Sequence, residues 1–132
     1  MAGMFKFELV SPERILMSVD AEQVIVPGAE GQFTVFQGHA PVISTLLPGV
    51  IHVTTESSKQ SIFVRSGFAE VTADQLTILA ERAFIIEEVD PRHLDDELDM
   101  AQKALDSADT DDARLHVTRA IEQLKALVDK AA

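Results

Sequence analysis

Residues 24–49 read VIVPGAEGQFTVFQGHAPVISTLLPG, the most heavily punctuated stretch of the chain. Apolar runs at 24–26 and 33–36 flank Pro27-Gly28-Ala29-Glu30-Gly31. A corner at Gly38-His39-Ala40-Pro41 follows, and the apolar run 42–47 closes on Pro48-Gly49. Proline presets φ and glycine supplies the positive φ that a tight reversal needs, so the pattern predicts short strands separated by turns. The stretch reads as a docking edge, with the rest of the chain framing or regulating it.

The same signal extends outward in both directions. Upstream, Phe5, Phe7 and Leu9 alternate with Lys6, Glu8 and Val10, which predicts a strand over 4–11 ended by Ser11-Pro12. A short apolar segment at 15–18 precedes a second alternating run at 21–26. Downstream, a strand over 50–55 leads to the polar tip Glu56-Ser57-Ser58-Lys59, and segments 61–65 and 68–72 lie on either side of Ser66-Gly67. An isolated glycine inside a strand pattern predicts a bulge or sharp bend. Ala73-Asp74 is the next turn, followed by strands at 76–80 and 84–89. Many short strands rich in Val, Ile, Phe and Thr predict a flattened β-sandwich or barrel over residues 1–89.

At Asp90 the period changes. Asp90 reads as an N-cap and Pro91 as the first helical residue, where a missing N–H is harmless. Leu94, Leu98, Ala101 and Leu105 recur at helical spacing, and Asp95, Asp96, Glu97 and Asp99 crowd the early turns, where the helix dipole favours anions. After a loop at 107–109, Asp109 or Thr110 caps a second helix carrying Ala113, Val117, Ala120, Ile121, Leu124 and Val128, with Leu127 beside them. The fold class is therefore mainly β plus α, the sandwich being followed by an antiparallel two-helix hairpin over 90–132. That hairpin has only about ten large apolar side chains. Burying each gives about 1.5–3 kcal/mol, against about 1–2 kcal/mol of backbone entropy for every ordered residue. It is expected to lean on the sandwich or on another protein, and to detach readily.

Composition narrows the function classes. There is no Cys, Trp or Tyr among the 132 residues, which removes disulfides and thiolate metal sites and fits a reducing compartment. The net charge is −11, divided as −6 before Asp90 and −5 from it onward, with no Lys/Arg cluster. Nucleic acid is excluded as a partner, because phosphate neutralisation needs such clusters, and direct adsorption to anionic lipid is opposed for the same reason. No apolar run approaches the roughly 18 residues that span a bilayer.

Catalytic chemistry is sparse. His39, His52, His93 and His116 have no HxH or HExxH spacing, and the acidic run 106–112 lacks the glycine and terminal Glu of a calcium loop. Arg65 is read as outward-facing, or as the buried partner of a carboxylate such as Glu70. No catalytic residue, metal or cofactor is nominated. The readings left open are a β-sandwich interaction module, a free-standing nucleotide sensor using Asp90, Arg92, Arg114 and Arg119, and a metal-dependent cupin-like enzyme.

In order along the chain stand Phe7-Glu8-Leu9-Val10-Ser11-Pro12, Val26-Pro27-Gly28-Ala29-Glu30-Gly31, Gly38-His39-Ala40-Pro41, Leu47-Pro48-Gly49, Gly67-Phe68-Ala69-Glu70-Val71 and Leu76-Thr77-Ile78-Leu79-Ala80-Glu81. This series resembles the epsilon subunit of F-type ATP synthases, called delta in mitochondria. The resemblance implies a non-catalytic rotor subunit at the foot of the central stalk, peripheral on the cytoplasmic face of a bacterial inner membrane. It would meet the membrane only through the complex. It implies that Glu30, Gly31 and Gln32 face the c-ring and that Ser11, His39 and Ser44 lie toward gamma. Relatives often carry an acid where Gln32 stands, and Gly-Gly where Ser66-Gly67 stands. The hairpin would fold down or extend toward the alpha and beta subunits and inhibit hydrolysis. Some relatives bind ATP through Ile/Leu-Asp-x-x-Arg-Ala; here Val89-Asp90-Pro91-Arg92-His93-Leu94 keeps Asp90 but moves the arginine one residue early. That is about 100° around a helix, so the ATP candidates Asp90 and Arg92 imply weak or absent binding.

Overall fold

A computed structural model describes residues 3–131, so residues 1, 2 and 132 of the expected ranges lie outside the described residues. The chain divides into two compact units, one ending at Glu87 and the other beginning at Glu88.

The first unit holds strands β1 (Phe5–Val10), β2 (Ile15–Ala21), β3 (Gln23–Gly28), β4 (Gly31–Val35), β5 (Val42–Thr45), β6 (Gly49–Thr54), β7 (Lys59–Val71) and β8 (Gln75–Ile85). They join in the order β2-β1-β8-β7-β6-β3-β4, with β5 on β7. All pairings are antiparallel except β1 with β8. β7 is the spine: residues 59–64 pair with β6 and residues 68–71 pair with β5. Together β7 and β8 run through both halves of a sandwich. Phe7, Leu9, Val24, Val26, Ile51, Val53, Ile62, Val64, Leu76 and Ile78 meet in its core.

Several boundaries differ from the sequence expectation, each for a local reason. The pairs 61–65/68–72 and 76–80/84–89 are the two continuous strands β7 and β8. Bulges absorb the break at Ser66-Gly67, the register shifting between Val64 and Ser66 and again between Ser66 and Gly67. A bulge bends a strand and raises its twist without ending its ladder. Gly67 is at φ 154°, and a Cβ there would lie 2.1 Å from the Leu79 carbonyl oxygen. β8 stops at Ile85, where the 3₁₀ turn Ile86–Glu88 replaces the expected end of the strand at 89. β2 runs on to Ala21, and Glu22 makes the crossing to β3, its N–H donating to the Thr54 carbonyl at 2.8 Å.

The second unit is α1 (Pro91–Ser107) followed by α2 (Asp111–Ala131), packed as a hairpin. Asp90 caps α1, its side chain accepting from the His93 N–H at 3.1 Å. Of the two candidates for α2, Thr110 is the cap, accepting from the Ala113 N–H at 3.0 Å. Arg114 clamps the connection, donating to the Ala108 carbonyl and pairing with Asp111 at 2.8 Å. Val117, Ala120, Ile121 and Leu124 are buried as the stripe predicts. The acidic reading of α1 needs correction. Its first turn holds no acid, and Glu97, read as one of the dipole-facing carboxylates, is buried at 4% exposure with His93 Nε2 3.5 Å away. Asp90→Ala is expected to loosen the start of α1 by about 1 kcal/mol. The measurement is amide exchange, faster at His93 and Leu94 with the sandwich amides unchanged.

Candidate functional site

The outer face of the β5-β7-β8-β1-β2 half carries an apolar row that follows directly from the register. Thr45 lies beside Phe68, Phe68 beside Leu79, Leu79 beside Val10, and Val10 beside Ile15. Residues side by side on neighbouring strands point to the same face, and the alternate positions Ala69, Ile78 and Leu9 fill the core behind them. Phe68, Leu79 and Ile15 are 52%, 47% and 59% exposed, and Ile43 in the adjoining row is 74% exposed. The other half is different: consecutive Ile62, Phe63 and Val64 are all buried. A contiguous exposed apolar surface on a folded unit marks an interaction site.

A second surface is the β3–β4 tip. Gly28 pairs with Gly31, so Ala29 and Glu30 alone form the reversal, tighter than the five-residue turn expected from the sequence. Gly31 has φ 130°, a left-handed value that glycine adopts at no steric cost. Glu30, Gly31 and Gln32 are exposed, and they line one wall of an open groove of about 790 Å³ whose other wall is 39–45. Two backbone bonds tie the tip to the opposite wall: Ala29 N–H to the Thr45 carbonyl and Leu47 N–H to the Pro27 carbonyl, each 2.9 Å.

The structure separates the candidate residues into two places. His39 and Ser44 lie in the groove with Glu30, Gly31 and Gln32. The His39 ring tilts against Phe33 with centroids 6.2 Å apart, and its Nδ1 donates to the Ala40 carbonyl at 2.6 Å. Ser44 faces the core side of β5, its Oγ donating to the Thr45 carbonyl at 2.9 Å, while Ile43 and Thr45 take the outer face. Ser11 stands at the far end of the apolar row, where its Oγ both donates to the Arg14 carbonyl and accepts from the Arg14 N–H. Its role in that corner is a local turn, with Val10 and Ile15 supplying the apolar surface beside it.

The hairpin unit has a depression of about 390 Å³ lined by Glu88, Val89, Asp90, Arg92, His93 and Asp96. It brings Asp90 and Arg92 together, but the Asp90 side chain is engaged as the helix cap. Three carboxylates face one arginine there, a charge balance that opposes a polyphosphate. No group of three or more His, Asp or Glu side chains suited to a metal comes together among the described residues. No helix among them is long and apolar enough to cross a membrane.

Sequence reasoning passed over Ile15, Ile43, Phe68 and Leu79. Each is a large apolar residue at an outward strand position, a weak signal until the register places them together. Glu70, one suggested partner for Arg65, is instead on the outer face beside Ile43. Nothing in the sequence marks Glu97 as buried.

Residues 4–86 match the family model for the ATP synthase delta/epsilon chain, beta-sandwich domain. The chain is similar to the ATP synthase epsilon chain of Parvibaculum lavamentivorans, 45% identical over 96% of this chain and 97% of that protein. It is 40% identical to the epsilon chain of Brucella anthropi over 96% of this chain and 95% of that one. Among solved structures, it superposes with TM-score 0.71 on a chain of the Euglena gracilis mitochondrial ATP synthase, at 22% identity, covering 100% of this chain and 84% of the other. A chain from the central stalk and c-ring of the Tetrahymena thermophila enzyme gives TM-score 0.63 at 12% identity, covering 97% and 96%.

Proposed function

The chain belongs to the ATP synthase delta/epsilon family, a non-catalytic subunit of the F1 sector, and from that premise we propose that its sandwich couples gamma to the c-ring. The outer apolar row is the gamma-facing surface, with Ser11 at one end and Thr45 at the other, Ile43 in the adjoining row and Ser44 behind them on the core side of β5. The Glu30-Gly31-Gln32 tip faces the ring, and His39 sits in the groove between the tip and β5. The subunit is peripheral, reaching the cytoplasmic face of a bacterial inner membrane through the complex. The observation that carries this reading is the row on one face in which exposed Phe68, Leu79 and Ile15 are joined through half-buried Val10, distinct from the polar tip.

The hairpin is proposed as the regulatory part, folding down or reaching toward alpha and beta. Its separation as a unit beginning at Glu88 supports a role apart from the sandwich. The acid-lined depression at Asp90 and Arg92 argues against a nucleotide-sensing reading.

Stripping the subunit from membrane-bound ATP synthase and adding it back is expected to restore ATP-driven proton pumping. Failure of the added protein to rebind a gamma-containing complex would sink the proposal. In the same assay Glu30→Lys should lower coupling while leaving rebinding unchanged, because the tip is separate from the apolar row.

A further inference from the structure

The apolar row has an acidic border. Two residues along the strands on one side lies a second outward row, in which Ile43 pairs with Glu70, Glu70 with Thr77, Thr77 with Glu8, and Glu8 with Ser18. On the other side, Glu81 stands beside Ser66 at the bulge. Three carboxylates thus frame Phe68, Leu79, Val10 and Ile15. Lys6 lies one outward row further out and Arg14 beside Ile15.

The three acids differ in their neighbours. Glu8 accepts from Gln75 Nε2 at 3.1 Å and has Lys6 at 4.0 Å. Glu81 accepts from the Ser66 hydroxyl at 2.7 Å. The Glu70 carboxylate is exposed, and no hydrogen bond or ion pair to it is found among the described residues. Water satisfies it in the free protein. Any partner that covers Phe68 and Ile43 also covers Glu70, and burying an unpaired carboxylate is strongly unfavourable. A partner that supplies no cation there would therefore be rejected.

We propose that Glu70 selects the partner of this face by pairing with a Lys or Arg that borders an amphipathic apolar segment. This rests on the reading of the face as the gamma surface and adds the chemistry of the contact. Five strands at about 4.8 Å spacing set a row about 19 Å long, matching about 13 residues of helix or six of strand. A second copy of this chain is a poor occupant, since facing two such surfaces would bring acidic borders together.

The test is binding of the full chain to a gamma-containing ATP synthase subcomplex lacking this subunit, measured across a series of salt concentrations. Both Phe68 and Glu70 are exposed, so the variants should fold, which circular dichroism checks. Phe68→Asp is expected to abolish binding, Glu70→Gln to weaken it about tenfold with a flatter salt dependence, and Glu70→Lys to weaken it more than Glu70→Gln. Glu56→Gln, at a hairpin tip in the other half, should bind as the parent does. Normal affinity and salt dependence for Glu70→Gln, with Phe68→Asp inactive, would overturn the role of Glu70 and leave the gamma face standing. Normal binding by both variants would overturn the face as well. Self-association of the chain that Phe68→Asp dissolves, with gamma binding unaffected, would assign the face to a second copy and overturn the proposal.

Discussion

Gly67→Ala is expected to destabilise the sandwich by about 3–5 kcal/mol, enough to leave a large part of the protein unfolded or insoluble. Two effects act together at this position. The backbone has φ 154°, which L side chains rarely adopt, and the added Cβ would sit 2.1 Å from the Leu79 carbonyl oxygen and 3.0 Å from the Ala80 Cα. Both obstacles are backbone atoms of the adjacent strand, so no rotamer change relieves them. The strand pair must separate where β7 turns from one half of the sandwich to the other. The check is a urea titration followed by a β-sheet signal, with a midpoint shift and unchanged slope as the expected result. A shift below about 1 kcal/mol would mean the corner tolerates displacement and the bulge is not a rigid fixture. Ser66→Ala is the contrasting variant. It loses only the exposed hydrogen bond to Glu81 and should cost about 1 kcal/mol or less.

Phe7→Ala is expected to cost about 3–5 kcal/mol, lowering the melting temperature of the sandwich by roughly 12–40 °C at the usual 4–8 °C for each kcal/mol in a domain of this size. Phe7 has 0% exposure and lies on β1, between Val19 of β2 and Leu76 of β8. Its neighbours are held in hydrogen-bonded ladders on both sides, so they cannot collapse into the space an alanine leaves. Calorimetry reads the loss directly. A drop of only a few degrees would indicate that the core refills the cavity.

Much of this architecture could be read from residue patterns. Phe5, Phe7 and Leu9 are buried as their alternation requires, and Asp90-Pro91 opens α1 as capping chemistry predicts. The bulge at Ser66-Gly67 was legible because a lone glycine weakens a strand and packs nothing, so it sits where the backbone itself must bend. Its consequence was not: whether a bend ends a strand depends on the partner's ladder, and β8 bulges in step with β7. The burial of Glu97 is likewise invisible, because its position in the helix is set by packing and not by polarity. For the site, the turn residues showed that 27–31 would protrude. They did not show that 39–45 would come back to form a groove with it, since that needs the non-local pairing of β5 with β7. The apolar row was hidden for the same reason. Each residue is ordinary alone, and only the register places Phe68, Leu79, Val10 and Ile15 side by side.

The tip built on Ala29 and Glu30 has a mechanical meaning. A long loop would yield under a sideways push and dissipate it by flexing. Here the projecting part is only two residues long, and the bonds from Ala29 to Thr45 and from Leu47 to Pro27 fasten it to the next strand. A tangential force on Glu30 therefore passes through the backbone into β5, and from β5 through its ladder into β7, the longest strand. The compliance along that route is that of short peptide hydrogen bonds. Whatever grips the tip and whatever grips Phe68 would turn together with little lag.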